Sequence, residues 1–199
     1  MQIPCFWIEP AAFGQLWLRR FSWPPRAHQG EQSWSCEIGY HNATAQAEER
    51  IDVRRSSEGI IQPVLVGHDD PRWPTTCASC GYAFSETDQW QPDVREAWHR
   101  PDSGTIIAYG LAEVPAGAMW DAFWWTWRRV HTYPDGINLF VQLPDGMPWN
   151  VDGPSARNDQ AGWTRTGDPK AIPPTVSAQP SILSPKYHGW LRDGFLVDA

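Results

Sequence analysis

Proline sets the strongest limit on what this chain can fold into: it contributes 19 of 199 residues, and after residue 60 nearly every window contains one. Each proline removes a backbone donor and fixes φ, which excludes long helices across most of the chain. The apolar segments that survive are short and bounded by turn residues, as strands are. Segments 59–67 (GIIQPVLVG), 104–114 (GTIIAYGLAEV), 137–143 (INLFVQL) and 194–199 (GFLVDA) read as strands. Tyr133-Pro134-Asp135-Gly136 and Leu143-Pro144-Asp145-Gly146 read as turns, with Pro presetting φ at the second position and Gly taking positive φ. Segment 8–25 reads as a strand pair or a strand plus loop. The expected fold class is mainly β: small antiparallel sheets, long irregular Pro- and Gly-rich segments, and little helix.

One stretch, 115–130, carries a helical pattern. Trp120, Trp124 and Trp127 fall at i, i+4 and i+7 and would share one helical face, with Phe123 and Trp125 beside them, although so many aromatics also suit a strand. The chain holds 14 tryptophans, a residue enriched at the energetic centres of protein interfaces. Trp120, Trp124, Trp125 and Trp127 are therefore the expected partner-binding residues, against the competing reading of an aromatic core. From residue 144 to 185 the chain turns rich in Pro, Gly, Asn, Asp and Ser, which suits either an extended arm or a segment that returns to complete a sheet. The expected division is 1–110 and 111–199, unless the two run together as one domain.

Chemistry concentrates in Cys77-Ala78-Ser79-Cys80-Gly81. Two thiolates separated by two residues can face one tetrahedral Zn²⁺ across a tight turn, and Gly81 offers the positive φ such turns use. Cys36 and His41, with four residues between them, make the best second pair. Cys36, His41, Cys77 and Cys80 are thus the expected ligands of a structural zinc clipping the N-terminal half. His68 is the competing fourth ligand and Cys5 a weaker one. A redox dithiol should sit between a strand and a helix, and the flanking sequence here reads as loop and short strand.

Net charge is −7, with 14 Arg and two Lys, so no continuous basic track marks a nucleic-acid binder. The pairs Arg19-Arg20, Arg54-Arg55 and Arg128-Arg129 read as solvated strand faces before basic patches. No run approaches the roughly 18 apolar residues of a membrane span, and the N-terminus lacks the pattern of a cleaved leader. A soluble protein made in the cytoplasm is expected, and the Asn42-Ala43-Thr44 sequon is then coincidental.

No GxSxG, HExxH, phosphate-binding glycine loop or deaminase signature occurs. Asp152, Asn158, Arg165 and His188 are the polar candidates of the last third, with turn and bracing roles as their simpler reading. Four plausible ligands favour a closed structural site over a catalytic one, so no enzyme activity is expected. Two alternatives stand. A zinc-ribbon adaptor binding nucleic acid or a host protein would use Arg72, Trp73 and Tyr82. A zinc hydrolase would need an open metal position and a carboxylate such as Asp69 or Asp70.

Taken in order, DDPRWPTTCASCGYAF, PAGAMWDAFW, LPDGMPWNVDG, WTRTGDP and YHGWLRDGFLV, spread over most of the chain, resemble a family of tailed-bacteriophage proteins. The resemblance implies a virion structural protein, a capsid decoration or cement protein on the head surface whose partner is the major capsid protein or another virion protein. It also implies that Cys36, His41, Cys77 and Cys80 occupy the family's metal-like positions. Members often carry further cysteines in the tail, and this chain has none there. A homo-oligomer is compatible with such a role.

Overall fold

The computed structural model describes residues 1–22, 40–56, 60–125, 133–154 and 162–199. In chain order its strands are β1 (Gln2–Pro4), β2 (Phe6–Trp7), β3 (Glu9–Ser22), β4 (His41–Asp52), β5 (Gln89–His99), β6 (Ile106–Tyr109) and β7 (Ala118–Asp121). They continue as β8 (Leu139–Gln142), β9 (Pro148–Asn150), β10 (Thr164–Thr166), β11 (Ser177–Leu183), β12 (His188–Arg192) and β13 (Phe195–Asp198). Among the described residues the one helical element is a 3-10 turn at Leu111–Glu113. The protein is mainly β, built from small antiparallel sheets.

The chain divides into two compact units: unit 1 is Met1–Ala11, Arg55–Ile60 and Ala97–Ala199, and unit 2 is Ala12–Arg54 and Ile61–Glu96. Unit 1 holds a sheet ordered β1-β13-β12-β11-β10 and a second ordered β2-β7-β8-β9. Every pairing in them is antiparallel except β2 with β7. The second sheet explains the unbroken apolar runs of β7 and β8, because it is buried on both faces. Met119, Leu139 and Val141 pack in a core with Ile182, Leu191 and Leu196. Trp120 and Phe140, pointing the other way, pack in a second core with Ile8, Trp98 and Val114.

The proline turns form as their chemistry dictates. Gly136 N donates to Tyr133 O at 2.9 Å and Gly146 N to Leu143 O at 3.1 Å, and both glycines have positive φ. Between them lies β8, while β6 and β13 form inside the segments expected as strands. The last third supplies β9 to β13, returning to complete both sheets of unit 1.

One open reading is resolved and one expectation corrected. Segment 115–130, which suits helix or strand, contains no helix among its described residues: Gly117 at φ 87° leads into β7, whose Trp120 pairs with Phe140 of β8. The ladder to β8 satisfies the backbone and lets both side-chain faces be buried, which outweighs the helical spacing of the indoles. Segment 59–67 likewise forms no strand over its described part. Pro63 removes a ladder donor, and Val64 and Val66 pack on the unit 2 core while Leu65 is 94% exposed.

Unit 2 is built on β4-β3-β5. Its buried cluster is Leu16, Leu18 and Trp73, with Ala47, Ile51, Val64, Val66, Trp90 and Val94 packed around it. A core of that size benefits from a local staple.

Candidate metal centre

The Cys77–Cys80 knuckle sits in a short hairpin of unit 2. Thr76 and Ala83 form a bridge, Cys77 N donates to Tyr82 O at 2.8 Å, and Phe84 N donates to Thr75 O at 2.9 Å. Gly81 closes the turn at φ 74° with its amide on Cys77 O at 3.0 Å. The first residues of β4 meet this hairpin: Ala78 N donates to Asn42 O at 3.2 Å, and Asn42 N donates to Cys77 Sγ at 3.4 Å.

That contact brings His41 to the knuckle. Its Nδ1 lies 3.2 Å from Cys80 Sγ, and the ligand atoms of His41, Cys77 and Cys80 all lie within 4.8 Å of one another. Sulfur and nitrogen on adjacent corners of a zinc tetrahedron are separated by roughly 3.6 Å, from bonds of about 2.3 and 2.0 Å. The group is therefore of a size to hold a metal ion. The His41 ring stacks on Tyr82, centroids 4.0 Å apart and planes within 5°, which fixes its orientation. Burial pushes the Cys77 thiol up, but the amides of Asn42, Ser79 and Cys80 and the His41 side chain outweigh it and bring Cys77 down to about 6. Metal ligation requires the thiolate that these donors favour.

Three of the four expected ligands are thus brought together, and Cys36 lies outside the described residues. His68 stacks instead on Trp90 at 4.5 Å and stands outside the group. Cys5 is buried in the unit 1 core, where desolvation raises its thiol to about 12. Among the described residues the cysteines form no disulfide, and no helix follows the knuckle.

Arg20 was hidden from sequence reasoning inside a pair that reads as solvated. Only 4% of it is exposed. Its guanidinium lies 3.6 Å over the Trp90 ring and donates to Pro74 O and Ser85 O, the carbonyls that flank the hairpin. Arg20 positions the knuckle from both ends. Asp88 reinforces one of them by accepting from Ser85 N at 2.6 Å. The alternation of β3, which turns Leu16, Leu18 and Arg20 to the same face, was the available signal.

The remaining candidates have structural uses. Asp70 accepts from both the backbone and the guanidinium of Arg72. Asp152 and Arg165 form a buried pair in unit 1: Arg165 Nε donates to Asp152 Oδ1 at 3.0 Å while its terminal nitrogens grip Asp135. His188 sits against Trp190, and Asn158, Arg128 and Arg129 lie outside the described residues. Of the expected partner-binding tryptophans, Trp120 is 2% exposed and packs in the second core of unit 1, Trp124 is half-buried, and Trp125 is 39% exposed. Trp127 lies outside the described residues.

Comparison with family models, with curated proteins and with solved structures returns no match. Among the described residues no helix is long and apolar enough to cross a membrane.

Proposed function

We propose that this chain is a bacteriophage virion structural protein, a decoration protein that stabilises the head by binding the major capsid protein. We further propose that His41, Cys77 and Cys80, with Cys36 as fourth ligand, hold a structural zinc ion in unit 2. The phage context rests on the motif resemblance. The adhesive role is supported by one observation above the others, a ladder of aromatic rings and guanidinium groups along β3.

Phe13, Trp17 and Phe21 are spaced by four and share the face opposite Leu16 and Leu18. A guanidinium stacks on each: Arg50 at 3.9 Å over Phe13, Arg95 at 4.3 Å over Trp17 and Arg19 at 5.0 Å over Phe21. Aromatic and Arg side chains supply most of the binding energy at protein interfaces, and stacking restrains them before a partner arrives. The zinc clip would hold this unit rigid without chemistry of its own. A hydrolytic role is disfavoured because Asp70 is already committed to Arg72.

The test is co-sedimentation of purified protein with empty and mature heads. Wild type should bind, and the Trp17→Ala, Arg95→Ala double variant should lose binding while keeping its melting temperature. Failure of the wild-type protein to bind either kind of head removes the decoration role. Salt-dependent binding to single-stranded nucleic acid in its place would support the intracellular adaptor.

A further inference from the structure

We propose that a cleft in unit 1, separate in its chemistry from the β3 ladder, binds a short neutral oligosaccharide. The cleft has a volume of about 640 Å³, inside the usual span of ligand pockets, about 300–1,000 Å³. Its floor is the face of the second sheet that carries Trp120 and Phe140. The strand registers place Trp120, Phe140 and Asn150 in one row across β7, β8 and β9, with Gln142 and Pro148 in the next. Trp124 and Trp125 form a wall.

Four aromatic rings and two amide side chains therefore converge; none of the described lining side chains is ionisable, and the Arg55 guanidinium is stacked 5.1 Å over the Trp124 ring. That combination selects the ligand. A sugar ring presents an apolar C–H face that packs against the negative face of an indole, and a periphery of hydroxyls that amides can bind from either side of the hydrogen bond.

A second observation points the same way. Asn150 Oδ1 is buried and has no hydrogen-bond partner among the described residues. Such an acceptor is uncommon, and being buried it meets a ligand hydroxyl only after a small turn of the amide. Its amide lies close to Gly153, where an added Cβ would come within 2.7 Å of Asn150 Nδ2. Gln142 is anchored through Nε2 to Gly146 O at 2.8 Å.

The wall is preorganised as well. Trp125 N donates to Ala122 O at 2.8 Å, and the buried Asn138 Nδ2 donates to both Ala122 O and Trp125 O at 3.0 Å. This turn presents the indole of Trp125 toward Phe140, ring centroids 6.1 Å apart. A rigid aromatic wall lowers the ordering cost of binding.

The experiment is calorimetric titration and tryptophan-fluorescence titration of the intact protein with glucose, maltohexaose, cellohexaose, chitohexaose and a proline decamer. At least one hexasaccharide should bind, glucose should bind more weakly, and the decamer should not compete. Trp125→Ala and Asn150→Ala should each weaken the sugar about tenfold. Trp125 is the most exposed of the four rings, so its truncation should leave the protein folded and keep the test valid if Asn150→Ala folds poorly. Absence of hexasaccharide binding at millimolar concentration, wild-type affinity in Trp125→Ala, or capture of the proline decamer in the sugar's place would each overturn the assignment. Binding to phage heads is read separately, so either result stands apart from the decoration role.

Discussion

His41 Nδ1 lies 3.2 Å from Cys80 Sγ across a separation of 39 positions, joining the start of β4 to the Cys77–Cys80 knuckle. A metal held at this junction would close a long loop and add its binding free energy to folding. Chelation should therefore lower the melting temperature of the protein, and Cys77→Ser should abolish stoichiometric metal measured by mass spectrometry of the purified protein. Unchanged melting after complete metal removal would rule out a structural clip.

Arg20 ties the ends of the same hairpin to β3 through Pro74 O and Ser85 O. Arg20→Met keeps much of the volume but strands both carbonyls, at a cost of about 1–3 kcal/mol. Metal affinity should fall along with stability, although position 20 supplies no ligand. Competition against a zinc chelator reads the first and urea denaturation the second. A variant with lowered stability and wild-type affinity would leave Arg20 with no positioning role.

The Asp152–Arg165 pair is the most deeply enclosed ionic contact described, with side chains 0% and 1% exposed. Asp152 also accepts from Leu139 N at 2.8 Å, and Arg165 N donates to the Tyr133 hydroxyl, so the pair joins β8, β10 and the Tyr133–Gly136 turn. Arg165→Met should destabilise unit 1 by about 3–5 kcal/mol, because the carboxylate of Asp152 is left buried without its counter-charge. Urea unfolding followed by tryptophan emission measures this. A loss below the cost of a surface substitution would mean that Asp152 is neutralised on its own.

Acid sensitivity follows from two exposed pairs. The hydrogen bonds of Arg72 hold Asp70 down to about 2, below its ordinary 3.8, and those of Arg100 lower Asp102. Both carboxylates are more acidic folded than unfolded, so the unfolded chain takes up protons first as pH falls. The stability they contribute is complete above about pH 4 and is lost on descending toward about pH 2. The Asp70→Asn, Asp102→Asn double variant should show a shallower decline of urea midpoint over that window. An identical slope would mean that neither pair contributes.

Two glycines of unit 2 should respond differently to alanine. At Gly14 a Cβ would lie 2.5 Å from the carbonyl oxygen of Arg95, so strands must shift, for about 1–3 kcal/mol. At Gly81 no atom lies within 4 Å of the added carbon, and the cost is the left-handed backbone alone, roughly 1–2 kcal/mol. Gly81→Ala should also weaken metal binding, since it distorts the turn between the thiolates and Tyr82. Thermal melts with and without chelator separate the two, and equal chelator sensitivity in both variants would contradict this.

Local chemistry is legible in the amino-acid sequence itself. Proline density excludes long helices, the Pro-Asp-Gly turns form where φ preferences put them, and the two cysteines with Gly81 mark the knuckle, because each depends on neighbours a few residues apart. Where the chain carries two periodicities at once, as at 115–130, pairing partners decide: β8 offers Trp120 a ladder and two buried faces. The choice of His41 over His68, the burial of Arg20 beside an accessible Arg19, and the convergence of Trp120, Phe140 and Asn150 on one cleft are all settled by strand register. Register aligns residues tens of positions apart, and the free energy that sets it comes from burial and cross-strand contacts that no local segment contains.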